Sequence, residues 1–324
     1  MFDTVGVIVL LLFATLATWL AARCRRASHR GVKWGGTALS GLISVAFVLV
    51  IGVVLTGFYK INFPTYRTSA KDVKVAGTQE QVMRGAKFAA ICAGCHSADG
   101  KLPLVGKNAM GAGAPPAGTL FAANLTPAGE IKDWSDGEII RAIREGLHKS
   151  GRTLLLMPSR GFHNLSDVDV QAIVAYLRSQ PAAGRNLPPT RLNILGAVLI
   201  GAGLPLTSAQ PPITQTIVAP AEGVSAEYGK YLVSVLLCQE CHGKDLAGRK
   251  AGPGPPAGPN LTAIVPGWSA EGFIKTLRTG VDPANHTLTE AMPWKEISFF
   301  ANEQDLMAIY TYLHGLKTID LPPR

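Results

Sequence analysis

The sequence predicts an all-α protein in which two similar helical domains follow an N-terminal pair of membrane-spanning helices. Two long runs near the N-terminus contain no charged residue, the pentapeptide C-x-x-C-H occurs twice, and the regions that follow its two copies match each other. The composition agrees with membrane segments, because 47% of the 324 residues are hydrophobic. The length suits about two domains with an additional anchor.

Residues 4–22 and 34–59 are the two uncharged runs, and each is long enough to cross a bilayer as a helix. A cleaved secretory signal is a poorer interpretation of the first run, because Asp3 stands where a basic segment is expected. The loop between the runs is strongly basic, and loops of this kind stay in the cytoplasm. Its basic residues are Arg23, Arg25, Arg26, Arg30 and Lys33. We therefore predict two spans in a bacterial inner membrane, with everything after Lys60 on the periplasmic side.

The repeated pentapeptide is the attachment signature of a c-type haem, in which two thiols bind the porphyrin covalently and the following histidine binds the iron. A four-thiolate zinc site is less favoured, because it needs no histidine after each pair and its pairs usually lie closer together in sequence. A disulfide framework is unnecessary for a chain of this size. The sequence predicts two covalent haems c, held by Cys92, Cys95, Cys238 and Cys241, with iron ligands His96 and His242.

The two halves of the chain form an internal repeat when they are aligned on these motifs. Each copy contains Asn-Leu-Thr, then Trp-Ser, a glycine, Met-Pro and Tyr-Leu at nearly equal spacing. The matched positions are Asn124 and Asn260, Trp134 and Trp268, Gly146 and Gly280, Met157 and Met292, and Tyr176 and Tyr312. The predicted organisation is an anchor at 1–60, a linker at 61–77, a domain at 78–182, an apolar linker at 183–222, a second domain at 223–318 and a tail at 319–324.

Helix-start signals occur at corresponding places in the repeat. Thr78-Gln-Glu-Gln81 and Ser135-Asp-Gly-Glu138 have the capping-box pattern, and Gly146 is placed to end the second of these helices. Ser166 and Asn302 precede the apolar faces of the last helix in each copy. Each domain is therefore predicted to contain a haem-motif helix, a middle helix and a C-terminal helix.

Met157 and Met292 are the predicted distal iron ligands. A methionine in an apolar run is more often core filling, but both of these recur before proline at equivalent repeat positions. The competing histidines, His148, His163 and His286, are not repeated. Histidine and methionine together fill both axial positions, which suits one-electron transfer and leaves no site for substrate.

The chain between Lys101 and Ala182 carries a family resemblance. Its segments Phe121-Ala-Ala-Asn124-Leu-Thr-Pro127, Arg141-Ala-Ile-Arg144-Glu-Gly146 and Met157-Pro158 are similar to the class I cytochrome c domains of the cytochrome subunits of periplasmic membrane-bound dehydrogenases. Those subunits carry electrons from alcohol, aldehyde and gluconate dehydrogenases. The resemblance implies two tandem class I cytochrome c domains, methionine ligation and partner subunits. The sequence departs from the family in having two haem motifs where three are common, and an N-terminal hairpin where a C-terminal helix is frequent.

The leading hypothesis is an electron-transfer subunit, not itself an enzyme, working between a periplasmic redox enzyme and a respiratory or photosynthetic carrier. The alternatives are a dihaem subunit of a haem-copper oxidase and a dihaem peroxidase, the latter disfavoured by the repeated methionines. The expected partners are the membrane and other subunits of a redox complex, and no nucleic acid. The apolar segment 192–206 is expected to lie on the membrane surface or a partner, or else to join the two domains. The lysines that could steer an acidic partner are Lys87, Lys101, Lys230, Lys244 and Lys250.

Overall fold

The computed structural model of the chain describes residues 4–109, 116–252 and 256–320. Helices dominate this part of the chain, as predicted, and the strands are only two residues long. The α-helices in chain order are α1 (Thr4–Cys24), α2 (Thr37–Asn62), α3 (Gln79–His96), α4 (Asp136–Glu145), α5 (Ser159–Phe162), α6 (Asp167–Ser179), α7 (Ile194–Gly201), α8 (Ala226–Val235), α9 (Cys238–His242), α10 (Leu261–Ile264), α11 (Ala270–Thr279), α12 (Trp294–Phe300) and α13 (Glu303–His314). A π-helix spans Val32–Gly36, 3-10 helices span Glu130–Asp133 and Val265–Gly267, and the strands are β1 (Lys107–Asn108), β2 (Gly118–Thr119), β3 (Phe121–Ala122) and β4 (Arg191–Leu192).

The chain divides into two compact units that do not follow sequence order. The first unit comprises Met1–Thr65, Asn108–Phe121 and Pro188–Thr207. The second comprises Tyr66–Lys107, Ala122–Leu187 and Ser208–Arg324.

In the first unit, α1 and α2 pack side by side. Phe13 stacks on Phe47 with ring centroids 5.6 Å apart, and the hydroxyls of Thr18 and Ser44 lie 2.7 Å apart. Both helices are long and apolar enough to cross a membrane, and most of their side chains are exposed. Large apolar side chains exposed in this way require an apolar environment. The predicted helical hairpin is confirmed.

The apolar segment 192–206 contains α7, which packs on α2. The two helices approach closely at glycines: an added Cβ on Gly57 would lie 2.1 Å from the carbonyl oxygen of Ala197, and one on Gly201 would lie 2.0 Å from that of Val53. Lys60 donates to the carbonyls at the end of α7. The main neighbour of this segment is therefore a membrane-type helix, which the sequence did not indicate.

In the second unit, the haem-motif helix crosses the C-terminal helix of the same copy at a glycine. An added Cβ on Gly85 would lie 1.9 Å from the carbonyl oxygen of Ala172 in α6, and one on Gly229 would lie 1.9 Å from that of Ala308 in α13. We call Gly85 and Gly229 the crossing glycines. The absence of a side chain lets the two helix backbones touch, which fixes the same crossing in both copies.

The predicted helix boundaries are confirmed by their caps. Thr78 with Gln81 and Ser135 with Glu138 form complete capping boxes. Gly146 ends α4 in the left-handed conformation with φ of 66°, and Gly280, its counterpart, ends α11 with φ of 74°. Glycine adopts this conformation without the steric cost that a Cβ would bring. Ser166 and Asn302 cap the two C-terminal helices as predicted.

The haem-motif helix differs between the copies. In the first copy, α3 runs unbroken into the motif, whereas in the second copy Leu237 adopts a left-handed conformation with φ of 64° and separates α8 from α9. Two additional residues lie between the crossing glycine and the first motif cysteine in the second copy. The helix break accommodates these residues without moving the helix crossing.

Candidate haem sites

The two motif histidines have equivalent backbone partners. Nδ1 of His96 lies 2.7 Å from the carbonyl oxygen of Ala123, and Nδ1 of His242 lies 2.9 Å from that of Pro259. Each carbonyl belongs to the residue directly before the asparagine of Asn-Leu-Thr. A carbonyl oxygen only accepts, so Nδ1 carries the proton and Nε2 keeps its lone pair for a metal.

Burial also suits these histidines to ligation. It lowers the pKa of His96 and of His242 below the ordinary imidazole value, and the carbonyl contacts oppose this effect only in part. A neutral imidazole is the form that binds a metal. Both side chains are therefore held in the ligating protonation state.

The repeated Asn-Leu-Thr segments fasten these carbonyls to the rest of each domain. Asn124 and Thr126 both donate to the carbonyl of Ala183, which follows α6. In the second copy Asn260 donates to the carbonyl of Ile319, which follows α13. The sequence revealed the repetition of this tripeptide, and the structure gives its role: it positions the carbonyl that orients the histidine.

A pair of loops that hydrogen-bond to the backbone of the motif histidines was not predicted from the sequence. The amide of Gly106 donates to the carbonyl of His96 at 2.7 Å, and the amide of Gly248 donates to that of His242 at 2.8 Å. Both glycines have positive φ, 77° and 88°. The signal was present in Leu104-Val-Gly106 and Leu246-Ala-Gly248, but unequal spacing from the motif concealed it.

The four motif cysteines lie as C-x-x-C pairs in helices α3 and α9. Burial raises the pKa of Cys92 to about 12, helped by the neighbouring Cys95, and burial raises that of Cys238 to about 12. None of the five cysteines forms a disulfide, and the described residues contain no group of three or more His, Cys, Asp or Glu side chains arranged to hold a metal ion.

The two predicted distal methionines share one backbone geometry. The prolines that follow them have φ and ψ of −80° and 49° at Pro158, and −78° and 52° at Pro293. In each copy the residue after the proline donates its amide to the methionine carbonyl at 2.8 Å. Met157 and Met292 are partly buried against the core. The two Met-Pro segments, which are repeated in the sequence, thus have the same backbone structure.

The competing histidines have other partners. Nδ1 of His163 lies 3.0 Å from the carbonyl oxygen of Arg144, and Nδ1 of His148 lies 2.9 Å from the hydroxyl of Ser150. His286 is 78% exposed and pairs with Asp282. Each of these three histidines uses one ring nitrogen in a contact that the other copy does not repeat. The two motif histidines, in contrast, both contact the carbonyl before Asn-Leu-Thr.

Comparison with known proteins identifies both copies. Residues 81–177 match the family model described as cytochrome c oxidase, cbb3-type, subunit III, and residues 226–317 match the model described as cytochrome c. The chain contains two cytochrome c domains. We call them domain 1 and domain 2. The predicted fold class is confirmed.

Several relatives that match between about half and most of the chain are named as dehydrogenase subunits. A nicotinate dehydrogenase subunit of Pseudomonas putida is 32% identical over 84% of this chain and 22% of the relative. The gluconate 2-dehydrogenase cytochrome c subunit of Pantoea cypripedii is 33% identical over 47% of this chain and 35% of the relative. The fructose dehydrogenase cytochrome subunit of Gluconobacter japonicus is 26% identical over 71% of this chain and 51% of the relative. The chain thus spans between about a fifth and about half of these relatives, and the predicted resemblance to dehydrogenase cytochrome subunits is confirmed.

The side chains of both cytochrome c domains fit haem c. Each domain offers paired thiols, a neutral histidine with Nε2 available, and a methionine whose backbone geometry matches that of its counterpart. Thiols, imidazole and thioether are the groups that haem c uses for attachment and axial ligation.

Proposed function

We propose that this chain is a membrane-anchored dihaem cytochrome c that transfers single electrons as a subunit of a larger oxidoreductase complex. The observation that carries the proposal is the duplication of one complete donor set, down to the carbonyl that orients each histidine. A bound haem c supplies a reversible one-electron iron couple. The chain itself supplies attachment, ligand orientation and spacing.

The residues assigned to each group are those of the sequence prediction. Cys92 and Cys95 hold the first haem and Cys238 and Cys241 the second, by covalent bonds. His96 with Met157, and His242 with Met292, would bind the two irons. With a histidine and a methionine both bound, neither iron would keep a position for substrate, which favours a carrier over the peroxidase alternative.

We assign the anchor to a bacterial inner membrane, with both cytochrome c domains in the periplasm. The support is the pair of apolar helices and the basic loop between them, which the charge bias of membrane proteins places in the cytoplasm.

The proposed direction of flow is away from a periplasmic dehydrogenase, toward a respiratory or photosynthetic carrier. The support is that several relatives are named as cytochrome subunits of gluconate, fructose and alcohol dehydrogenases. A second candidate is an electron-entry subunit of a haem-copper oxidase, which the match of residues 81–177 to the subunit III model favours.

The test is to purify the full chain from native membranes in mild detergent and to identify every protein and cofactor that accompanies it. A dehydrogenase subunit is the expected companion, whereas a copper-containing oxidase core would establish the second candidate. The denatured chain should retain two haems, measured as added mass. Unmodified thiols at residues 92, 95, 238 and 241 would overturn the dihaem assignment.

A further inference from the structure

The two cytochrome c domains meet in a contact with approximate two-fold symmetry, which we call the junction. Helix α12 of domain 2 packs on α3 of domain 1, and α5 of domain 1 packs on α8 of domain 2. The haem-motif helix of each domain therefore contacts the helix that follows the Met-Pro segment of the other domain. A two-fold arrangement of this kind is the intramolecular equivalent of an isologous dimer interface.

The junction contains an aromatic pair on one side, and a close glycine contact with a hydrogen bond on the other. Phe88 and Phe300 are both buried and meet edge-to-face with centroids 5.4 Å apart. On the other side, a Cβ added to Gly161 would lie 2.0 Å from the Leu237 side chain, and Asn164 donates to the hydroxyl of Ser234 at 2.9 Å.

Two buried aspartates lie at the centre of the junction. Asp169 and Asp305 are 0% and 2% exposed, and each occupies the third position of its C-terminal helix, after the capping residue. A buried carboxylate is costly unless charged or hydrogen-bonding groups surround it. The partners of these two carboxylates are therefore important to the junction.

The partners come from equivalent positions on the two haem-motif helices. The residue directly before each crossing glycine bonds the aspartate of its own domain: Arg84 Nε lies 2.6 Å from Asp169, and the Tyr228 hydroxyl donates to Asp305 at 3.3 Å. Arg84 also pairs with Glu222, which is largely exposed.

The residue two positions after each crossing glycine bonds the aspartate of the other domain. Lys87 Nζ lies 2.9 Å from Asp305, and the Tyr231 hydroxyl donates to Asp169. Tyr231 also accepts from the amide of Ser166 at 3.1 Å. Lys87 and Tyr231 are thus a matched pair of side chains, each bonded to the buried aspartate of the other domain, so Lys87 is engaged within the protein and is not a free steering lysine.

The chemistry of the positions distinguishes the two domains. Domain 1 supplies two cations, Arg84 and Lys87, whereas domain 2 supplies two tyrosines. The mixed pair places two cations against the two buried carboxylates, while the exposed Glu222 also pairs with Arg84. Two copies of domain 2 paired in this way would bury both carboxylates without a cation, and two copies of domain 1 would leave excess positive charge. The junction therefore selects the unlike domain as its partner.

We propose that Lys87 and Tyr231 are positioning residues for electron exchange between the two haem sites. They hold α3 and the α8–α9 pair, which carry the attachment motifs, in one fixed mutual placement. One electron passes from a reduced site to an oxidised site, and no bond or proton transfer is required. This inference rests on the proposed dihaem function.

The test uses the full chain with haem attached, and the variants Lys87→Met, Tyr231→Phe and their combination. Pulsed electron paramagnetic resonance on the oxidised protein measures the distribution of iron-to-iron distances, and flash photoreduction measures the rate of exchange between the sites. We expect the combined variant to broaden the distribution and to slow exchange several-fold, with the axial-ligand spectrum of each haem unchanged. The single variant Lys87→Arg keeps the positive charge, so it should show the distance distribution and the exchange rate of the unchanged chain.

Two matched controls separate this role from general loss of stability. Lys230→Met removes an exposed lysine beside Tyr231, and Tyr310→Phe removes a hydroxyl that bonds Trp268 within domain 2. Both should behave like the unchanged chain. Should the combined variant fail to fold, Tyr231→Phe keeps the ring and provides the measurement alone.

A wild-type distance distribution and exchange rate in Tyr231→Phe and in the combined variant would overturn the positioning role. Failure of the proposed function has a different signature, because the unchanged chain would then lack covalent haem.

Discussion

At the scale of single residues, the two predicted haem sites are most alike in their backbone contacts. His96 and His242 are oriented by carbonyls that lie 27 and 17 residues away along the chain. The methionines are related by the geometry of the proline that follows each one. Matching contacts in two copies of one module support an assignment that one copy alone would leave ambiguous.

Replacing Met157 by alanine should lower the reduction potential of one haem and leave the other close to its original value. The physical reason is that methionine ligation raises the potential, and axial ligands set potentials over a span of about 0.8 V. Redox titration of the purified chain measures both potentials. Met292→Ala should affect the other haem, and Met307→Ala, in the body of α13, is the control. Two unshifted potentials in Met157→Ala would exclude it as a ligand.

Tyr228 should make the protein sensitive to alkaline pH. Burial, followed by the charge of Asp305, raises the pKa of Tyr228 above its ordinary value, so the folded state keeps the proton where the unfolded chain loses it. The contribution of Tyr228 to the free energy of unfolding is complete below the unfolded pKa of about 10. It is lost as the pH rises above that value.

The measurement is the thermal unfolding of Tyr228→Phe and of the unchanged chain between neutral pH and pH of about 11. The variant should lose less stability across this range. Tyr312→Phe is a weaker test of the same effect, because burial alone raises its pKa. Identical pH profiles for Tyr228→Phe and the unchanged chain would contradict the linkage.

At the scale of helices, the crossing glycines determine how each domain closes. Gly85 and Gly229 permit backbone contact between the haem-motif helix and the C-terminal helix. The same device recurs in the first unit, where Gly57 and Gly201 bring α7 onto α2. In each case the interaction depends on the absence of a side chain, so hydrophobic periodicity gives no sign of it.

Gly85→Ala and Gly229→Ala should each destabilise the domain that carries the substitution. The added carbon would lie 1.9 Å from a backbone oxygen, and such overpacking costs about 1–3 kcal/mol or more. Chemical denaturation followed by circular dichroism measures the loss. Gly94→Ala is the matched control, because nothing lies within 4 Å of its added carbon and domain 2 carries Glu240 at this position. Unchanged stability in both crossing variants would refute the close contact.

At the scale of the whole molecule, the chain combines a unit that contains the two membrane-type helices with a second unit that contains domain 2 and most of domain 1. The first unit is made of three separate stretches of sequence. The domain boundaries predicted from the sequence therefore stay a prediction. The two cytochrome c domains share one continuous core.

Cys24 provides a test of topology for the whole molecule. It is the one cysteine outside the C-x-x-C-H motifs, and it lies at the end of α1 beside the basic loop. If haem consumes the other four thiols and the loop is cytoplasmic, a membrane-impermeant maleimide should label the chain in inverted vesicles and not in intact spheroplasts. Cys24→Ser should abolish labelling. Equal labelling in spheroplasts would place the loop on the outer face.

The sequence by itself determined the helical class, the membrane-type helices, the repeat and the helix caps. These features depend on local causes: composition, the spacing of two cysteines and a histidine, and side chains that bond their own helix start. The Asn-Leu-Thr repeat was visible, but its role was not, because the role depends on a contact across the domain.

The tertiary structure alone decided where the glycines, carbonyls and buried charges meet. Lys87 appeared as a surface lysine in the sequence, and the fold pairs it with Asp305, 218 residues later. The segment 192–206 was recognised as apolar, but only the fold identified α2 as its neighbour. Such pairings depend on the crossing of distant helices, and no local pattern in either segment specifies which partner it will meet.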